Sequence, residues 1–214
     1  MSKGEETVYL LDDEAGMIKA LTRLLKAEQY EVRGFTSVRE FLAAPRASGP
    51  SCLLLDVAMP ELDGMELQRR LLARGDGIPI IFLTGHGDIP MSVRAIKDGA
   101  IDFLTKPVDA QALLGSVRTA LSASAERYRS ARDEAIWKER YATLTPRERE
   151  VMALVVTGKL NKQIAAELGT GEQNIKVHRS RVMEKMRVKS FAELVRVADR
   201  LTGSATTGAP RLRA

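Results

Sequence analysis

"CLLLDVAMP", residues 52–60, runs from Cys52 through Leu55 without a polar break and then meets Asp56. An uninterrupted apolar run is what a strand buried on both faces requires. Working outward, "IPIIFLT" (78–84) reads the same way, and "TVYLL" (7–11), "YEVRGF" (30–35) and "IDFLTKP" (101–107) read as three further strands. The stretches between them have helical spacing. Met17, Leu21, Leu24 and Leu25 mark one helix over 15–28, and "SVREFLAA" (37–44) marks a second, closed by Pro45. "LDGMELQRRLLAR" (62–74) and "MSVRAIKDGA" (91–100), with a glycine stop at Gly99, mark two more, and another helix begins near Asp109. Strand and helix alternate five times over about 120 residues, which predicts a parallel sheet with helices on both faces. The pattern does not set strand order.

The remainder is helical. Residues 110–141 hold few helix breakers, and Leu114, Val117, Leu121 and Tyr128 fall near a heptad stripe. A long helix linking two halves is expected there, its stripe either pairing with a second copy or lying on a solvated connector. Residues 144–201 read as further helices, and the tail beginning "TGSATTGAPRLRA" is expected to be disordered. The expected division is 1–122, 123–141 as linker, 142–201 and 202–214 as tail.

Charge separates the halves. The chain of 214 residues carries +5, but residues 1–122 hold 14 basic and 17 acidic side chains (−3), leaving 19 basic and 11 acidic (+8) for 123–214. The basic rear suits nucleic acid or another anionic surface, or is a solvated basic face. The single cysteine, Cys52, excludes an internal disulfide framework and fits a buried thiol in a reducing cytoplasm. No apolar run approaches the roughly 20 residues of a membrane span, and "MSKGEE" lacks the apolar core of a secretory signal. A soluble cytoplasmic protein with no membrane contact is expected.

In a parallel sheet, ligands bind beyond the carboxyl ends of the strands. Asp12 and Asp13 follow the first strand, Asp56 ends the third, Thr84 closes the fourth and Lys106 closes the fifth. A lone strand-end Asp is as readily a helix cap. Three clustered carboxylates, Asp12, Asp13 and Asp56, are costly unless a cation compensates them; a hard divalent ion with oxygen ligands fits, and Mg2+ suits. The set suits phosphoryl transfer onto a carboxylate: Asp56 as nucleophile, Asp12 and Asp13 as metal ligands with the Ala58 carbonyl, and Lys106 and Thr84 beside the phosphoryl oxygens. His86 is read as a loop residue.

In the basic half, "LTPRERE" can begin a helix capped by Thr145, with Pro146 first and Glu148 completing a capping box. Gly158 closes that helix. "NKQIAAEL", Gly169 and "GEQNIKVHRSRVMEKM" then form a helix-turn-helix. At about 100° per residue, Ile175, Val182 and Met186 share one stripe. Gln173, Lys176, Val177 and Ser180 lie opposite, where they could meet base edges in the major groove. His178, Arg179, Arg181 and Lys185 flank that surface and, with Lys162, suit phosphates. An ordinary helical bundle with a basic surface is the alternative.

"LLDDE", "LLLDVAMPELDGMEL", "IIFLTGHGD" and "AIKDGAIDFLTKP" resemble the receiver domain of bacterial two-component response regulators over about residues 6–122, and "TGHGDIPMSVRAIKDGA" is especially similar to the FixJ-like subgroup. "LTPRERE", "NKQIAAEL" and "IKVHRSRVMEKM" resemble the LuxR/NarL-type DNA-binding domain over about 141–201. The resemblance implies a flavodoxin/CheY-like, doubly wound five-stranded α/β receiver joined by a long helix to a small all-α domain. It implies phosphorylation of Asp56 by a sensor histidine kinase with Mg2+ held by Asp12 or Asp13, Asp56 and Ala58, and a switch in which Thr84 and Phe103 move. It further implies double-stranded DNA as partner, with RNA polymerase a further candidate, dimerisation on activation, and a regulator rather than an enzyme. Thr170, Gly171 and Asn174 depart from the DNA-binding pattern, where an apolar residue, Ser and Thr are usual. In that family the last helix often forms the dimer contact, here through Leu194, Val197, Ala198 and Leu201; core packing would use the same residues.

Overall fold

The computed structural model describes residues 6–60, 62–85 and 89–203. Contacts divide the chain into two compact units that meet between Arg129 and Ser130. His86 and residues 204–214 lie outside the described residues.

The first unit is an α/β sandwich. Its strands β1 (Thr7–Leu11), β2 (Glu31–Phe35), β3 (Ser51–Asp56), β4 (Ile80–Thr84) and β5 (Asp102–Thr105) alternate with helices α1 (Ala15–Ala27), α2 (Val38–Ala43), α3 (Gly64–Ala73) and α4 (Ile89–Lys97). All pairings are parallel, in the order β2-β1-β3-β4-β5. The parallel sheet expected from the apolar runs is therefore present, in the doubly wound order that the resemblance implies; that order reverses at β1 and β3, which creates a crevice at their carboxyl ends. Alternate residues of the central strands fill two cores. Tyr9, Leu11, Leu53, Leu55 and Phe82 face one side, and Val8, Leu10, Leu54, Ile81 and Leu83 face the other. Cys52 lies in the second core and burial pushes its thiol pKa up, as a structural thiol requires.

Helix α5 runs unbroken for 33 residues, Ala110–Ala142. Its start belongs to the first unit, where Leu113, Val117, Ala120 and Leu121 are buried under the sheet. Val117 and Leu121 thus neither pair with a second copy nor face solvent; only Tyr128 of that stripe is exposed.

The second unit holds α6 (Pro146–Val155), α7 (Asn161–Glu167), α8 (Glu172–Met186) and α9 (Phe191–Gly203). Thr145 accepts from the Glu148 amide, and the Glu148 carboxylate accepts from the Thr145 amide, so the capping box forms. Gly169 turns the chain between α7 and α8 at φ 61°, a conformation that most side chains resist. Gly171 caps α8 without a side chain, and α9 continues through Thr202 to Gly203, past the expected start of the tail. Trp137 and Tyr141, from the end of α5, pack against this unit's core. The contact boundary therefore falls earlier than 142, because two aromatic rings of the supposed linker are core neighbours. No described helix is long and apolar enough to cross a membrane.

Candidate functional site

The parallel register brings the strand ends together. Asp56 is opposite Leu83, Thr84 is opposite Thr105, and the Lys106 amide donates to the Thr84 carbonyl at 2.7 Å. Asp12, Asp56 and Thr84 are buried, while Asp13 is exposed. One carboxylate oxygen from each of Asp12, Asp13 and Asp56 lies within 4.8 Å of the others. The Lys106 ammonium is 2.8 Å from Asp12 Oδ2, 3.4 Å from Asp56 Oδ1 and 3.9 Å from Glu14 Oε1. Phe103 is half-buried, with its ring centroid 6.1 Å from that of Phe82.

The electrostatics of this hollow are unbalanced. Burial raises the Asp56 carboxyl pKa and Asp12 raises it further, while Lys106 and the Ala58 backbone oppose them. Burial alone would lower the Lys106 ammonium pKa; its bond to Asp12 and the nearby Asp56 outweigh that and raise it. Asp56 Oδ1 is buried without a hydrogen-bond partner. A buried acceptor left open beside two further carboxylates fits a hard cation with oxygen ligands.

At the head of α3, the Asp63-Gly64 pair carries a constraint that the sequence pattern does not single out. A Cβ at Gly64 would stand 2.7 Å from the Asp56 carbonyl oxygen and 3.1 Å from Val57 Cα. The Gly64 amide also donates to the Val57 carbonyl at 3.0 Å. The backbone carrying Asp56 is thus clamped against the start of α3, and only glycine leaves room.

On α8, Ile175, Val182 and Met186 are buried, and Gln173, Lys176, Val177, Ser180 and Arg181 are exposed, as is Lys162 on α7. Two of the expected phosphate contacts are engaged within the unit instead. Lys185 donates to Glu148 Oε2 at 2.6 Å and to the Thr143 carbonyl at 3.3 Å. Arg179 donates to Asn161 Oδ1 at 3.3 Å and sits over the Phe191 ring. Both side chains therefore tie α8 to its neighbours, Lys185 through an ion pair and Arg179 through a neutral amide. His178 is half-buried with Nδ1 unpartnered. On α9, Leu194, Val197 and Ala198 are buried in the unit's own core and Leu201 packs against it, so core packing uses this face.

Glu148 is almost fully buried, and its carboxyl pKa is held below the ordinary 4.5, first by the Lys185 bond and then by the Thr145 amide. A depressed acid stabilises the fold above its unfolded pKa and loses that contribution as pH falls through its folded pKa. Glu148→Gln is therefore expected to destabilise the second unit by about 1 kcal/mol at pH 7. The gap to the unsubstituted protein should close as pH drops below 4.5. Trp137, the sole tryptophan, reports this unit's unfolding by fluorescence. A gap that persists at low pH would remove the ion pair from this role.

Two family models match the chain: "Response regulator receiver domain" over residues 8–118 and "Bacterial regulatory proteins, luxR family" over 142–198. The chain is 45% identical to the response regulator protein TodT of Pseudomonas putida, over 95% of this chain and 90% of that one. It is 46% identical to nodulation protein W of Bradyrhizobium diazoefficiens, over 92% and 87% of the two chains. Among solved structures, the response regulator StyR superposes with a TM-score of 0.80 at 43% identity, over 92% of this chain and 99% of that one. Full-length FixJ from B. japonicum gives 0.54 at 37% identity, over 95% and 99%.

Proposed function

Since the chain belongs to the two-component response regulators, as a transcription regulator with a receiver domain and a LuxR-type DNA-binding domain, we propose that Asp56 is its phosphoacceptor. A carboxylate oxygen of Asp56 attacks the phosphorus of a phosphohistidine on a sensor histidine kinase. The O–P bond forms, the P–N bond breaks and the imidazole leaves. Mg2+ held by Asp12, Asp13, Asp56 and the Ala58 carbonyl would neutralise charge on the phosphoryl oxygens. Lys106 offers a second cation from the neighbouring strand end, and Thr84 a hydroxyl that turns toward the new phosphoryl group while Phe103 changes rotamer. The observation that carries this reading is the buried Asp56 Oδ1, which has no hydrogen bond, is ion-paired to Lys106 at 3.4 Å and is clustered with two more carboxylates.

The output is DNA binding. Helix α8 enters the major groove, with Gln173, Lys176, Val177 and Ser180 toward base edges and Lys162 and Arg181 toward phosphates. His178, Arg179 and Lys185 flank the contact, the last two chiefly by bracing α8. Phosphorylation promotes a homodimer through the receiver. An apolar stripe on α4 supports this: Ile89, Val93 and Ile96 fall at i, i+4 and i+7 and are 80%, 45% and 46% exposed. Two half-sites then multiply modest contacts. A cytoplasmic location accompanies this reading.

Titration with acetyl phosphate and Mg2+, followed by mass in solution and by DNA retardation, tests the switch. Both the apparent mass and the DNA affinity should rise with labelling. A labelled protein with unchanged mass and unchanged DNA affinity would overturn it.

A further inference from the structure

The final turns of α5, a linker by their sequence, are built into the DNA-binding unit. Trp137 lies under Arg200 of α9 at 5.1 Å, and Tyr141 lies under Arg149 of α6 at 5.2 Å. Between these two residues in sequence, half-buried Arg140 donates from Nη1 to the Met186 carbonyl at 3.1 Å. Met186 is the last residue of α8 and its side chain is fully buried.

A helix ends with carbonyls that have no partner within the helix. At this end, the Met183 carbonyl accepts from the Val188 amide and the Glu184 carbonyl from the Arg187 amide. The Met186 carbonyl is instead met by a guanidinium from another helix. The cation also complements the negative end of the α8 dipole. Lys185, one residue earlier, reaches back to the Thr143 carbonyl just past α5. Two bonds, one in each direction, therefore tie the end of α5 to the end of α8.

We propose that Arg140 is a positioning residue for DNA recognition: it sets the pose of α8 without touching DNA. This inference rests on the assignment of α8 as the helix that reads DNA. Base-edge hydrogen bonds depend steeply on distance and angle, so a small tilt pivoting at Met186 is felt at Gln173 and Lys176.

The test uses the full chain with acetyl phosphate and Mg2+, and a duplex that the unsubstituted protein enriches from a random pool. Arg140→Gln should weaken binding by about tenfold, as expected for loss of one charge-assisted bond. Its active fraction by stoichiometric titration should stay full, and its salt dependence should be unchanged. Arg140→Lys, which keeps a charged donor, should recover most of the affinity. A phosphate contact would behave differently and reduce the salt slope by about one. Unchanged affinity of Arg140→Gln, a reduced salt slope, or a reduced active fraction at unchanged affinity each overturns the proposal. So does failure of both variants to fold, because Arg140 would then hold the domain together instead of aiming a helix. Lys176→Ala is the control. If it binds as tightly as the unsubstituted chain, or if no duplex is enriched, the assignment of α8 fails. If Lys176→Ala is weakened and Arg140→Gln is not, only the present inference fails.

Discussion

Asp56→Asn is expected to take up no label from acetyl phosphate above background, while the unsubstituted protein labels in a Mg2+-dependent way. The amide has no nucleophilic oxygen of carboxylate strength, and it removes one of the three charges within 4.8 Å that would hold the cation. The same substitution should not lower the unfolding midpoint of the receiver. The Asp56 carboxyl pKa is raised in the folded state, by burial and then by Asp12, so its ionised form opposes folding at neutral pH. An uncharged side chain of the same shape relieves that opposition. Loss of label together with an unchanged or higher midpoint separates chemistry from folding. Label retained by the variant would move the phosphoacceptor elsewhere.

Lys176→Glu is expected to weaken DNA binding by about a hundredfold or more. A single good contact in the groove contributes about 1–3 kcal/mol, and reversing its sign adds repulsion from a backbone that carries one charge per ~1.7 Å. Lys176 is exposed in the first half of α8, one position after buried Ile175, so the change should leave the unit folded. The Trp137 unfolding transition serves as the check. Affinity within threefold of the unsubstituted chain, with the transition intact, would mean that α8 does not face DNA.

The receiver is legible in the sequence because its evidence is local. Uninterrupted apolar runs at 52–55 and 80–83, each ending in a polar residue, are what strands buried on both sides of a parallel sheet require, and both form such strands. Parallel strands then oblige Asp12, Asp13, Asp56, Thr84 and Lys106 to share an edge. Gly64 was harder to value, since a glycine after Asp63 reads equally as an ordinary helix start. Its importance lies in what a Cβ would strike, the Asp56 and Val57 backbone eight and seven positions earlier.

Periodicity alone determined which residues of a helix share a face: Ile175, Val182 and Met186 inward, Gln173 and Lys176 outward. It could not say what each face would meet. Leu194, Val197 and Ala198 formed an apolar stripe suited equally to a second copy or to the unit's own core, and packing against α6 and α8 residues decided for the core. Lys185 and Arg179 were basic residues in a basic helix until Glu148 and Asn161 came within bonding distance. Arg140 was linker until Met186, 46 positions on, needed a donor for its carbonyl. Side-chain spacing is a property of the local backbone and is written in the sequence. A partner across helices depends on how those helices pack, and tertiary structure alone assigns it.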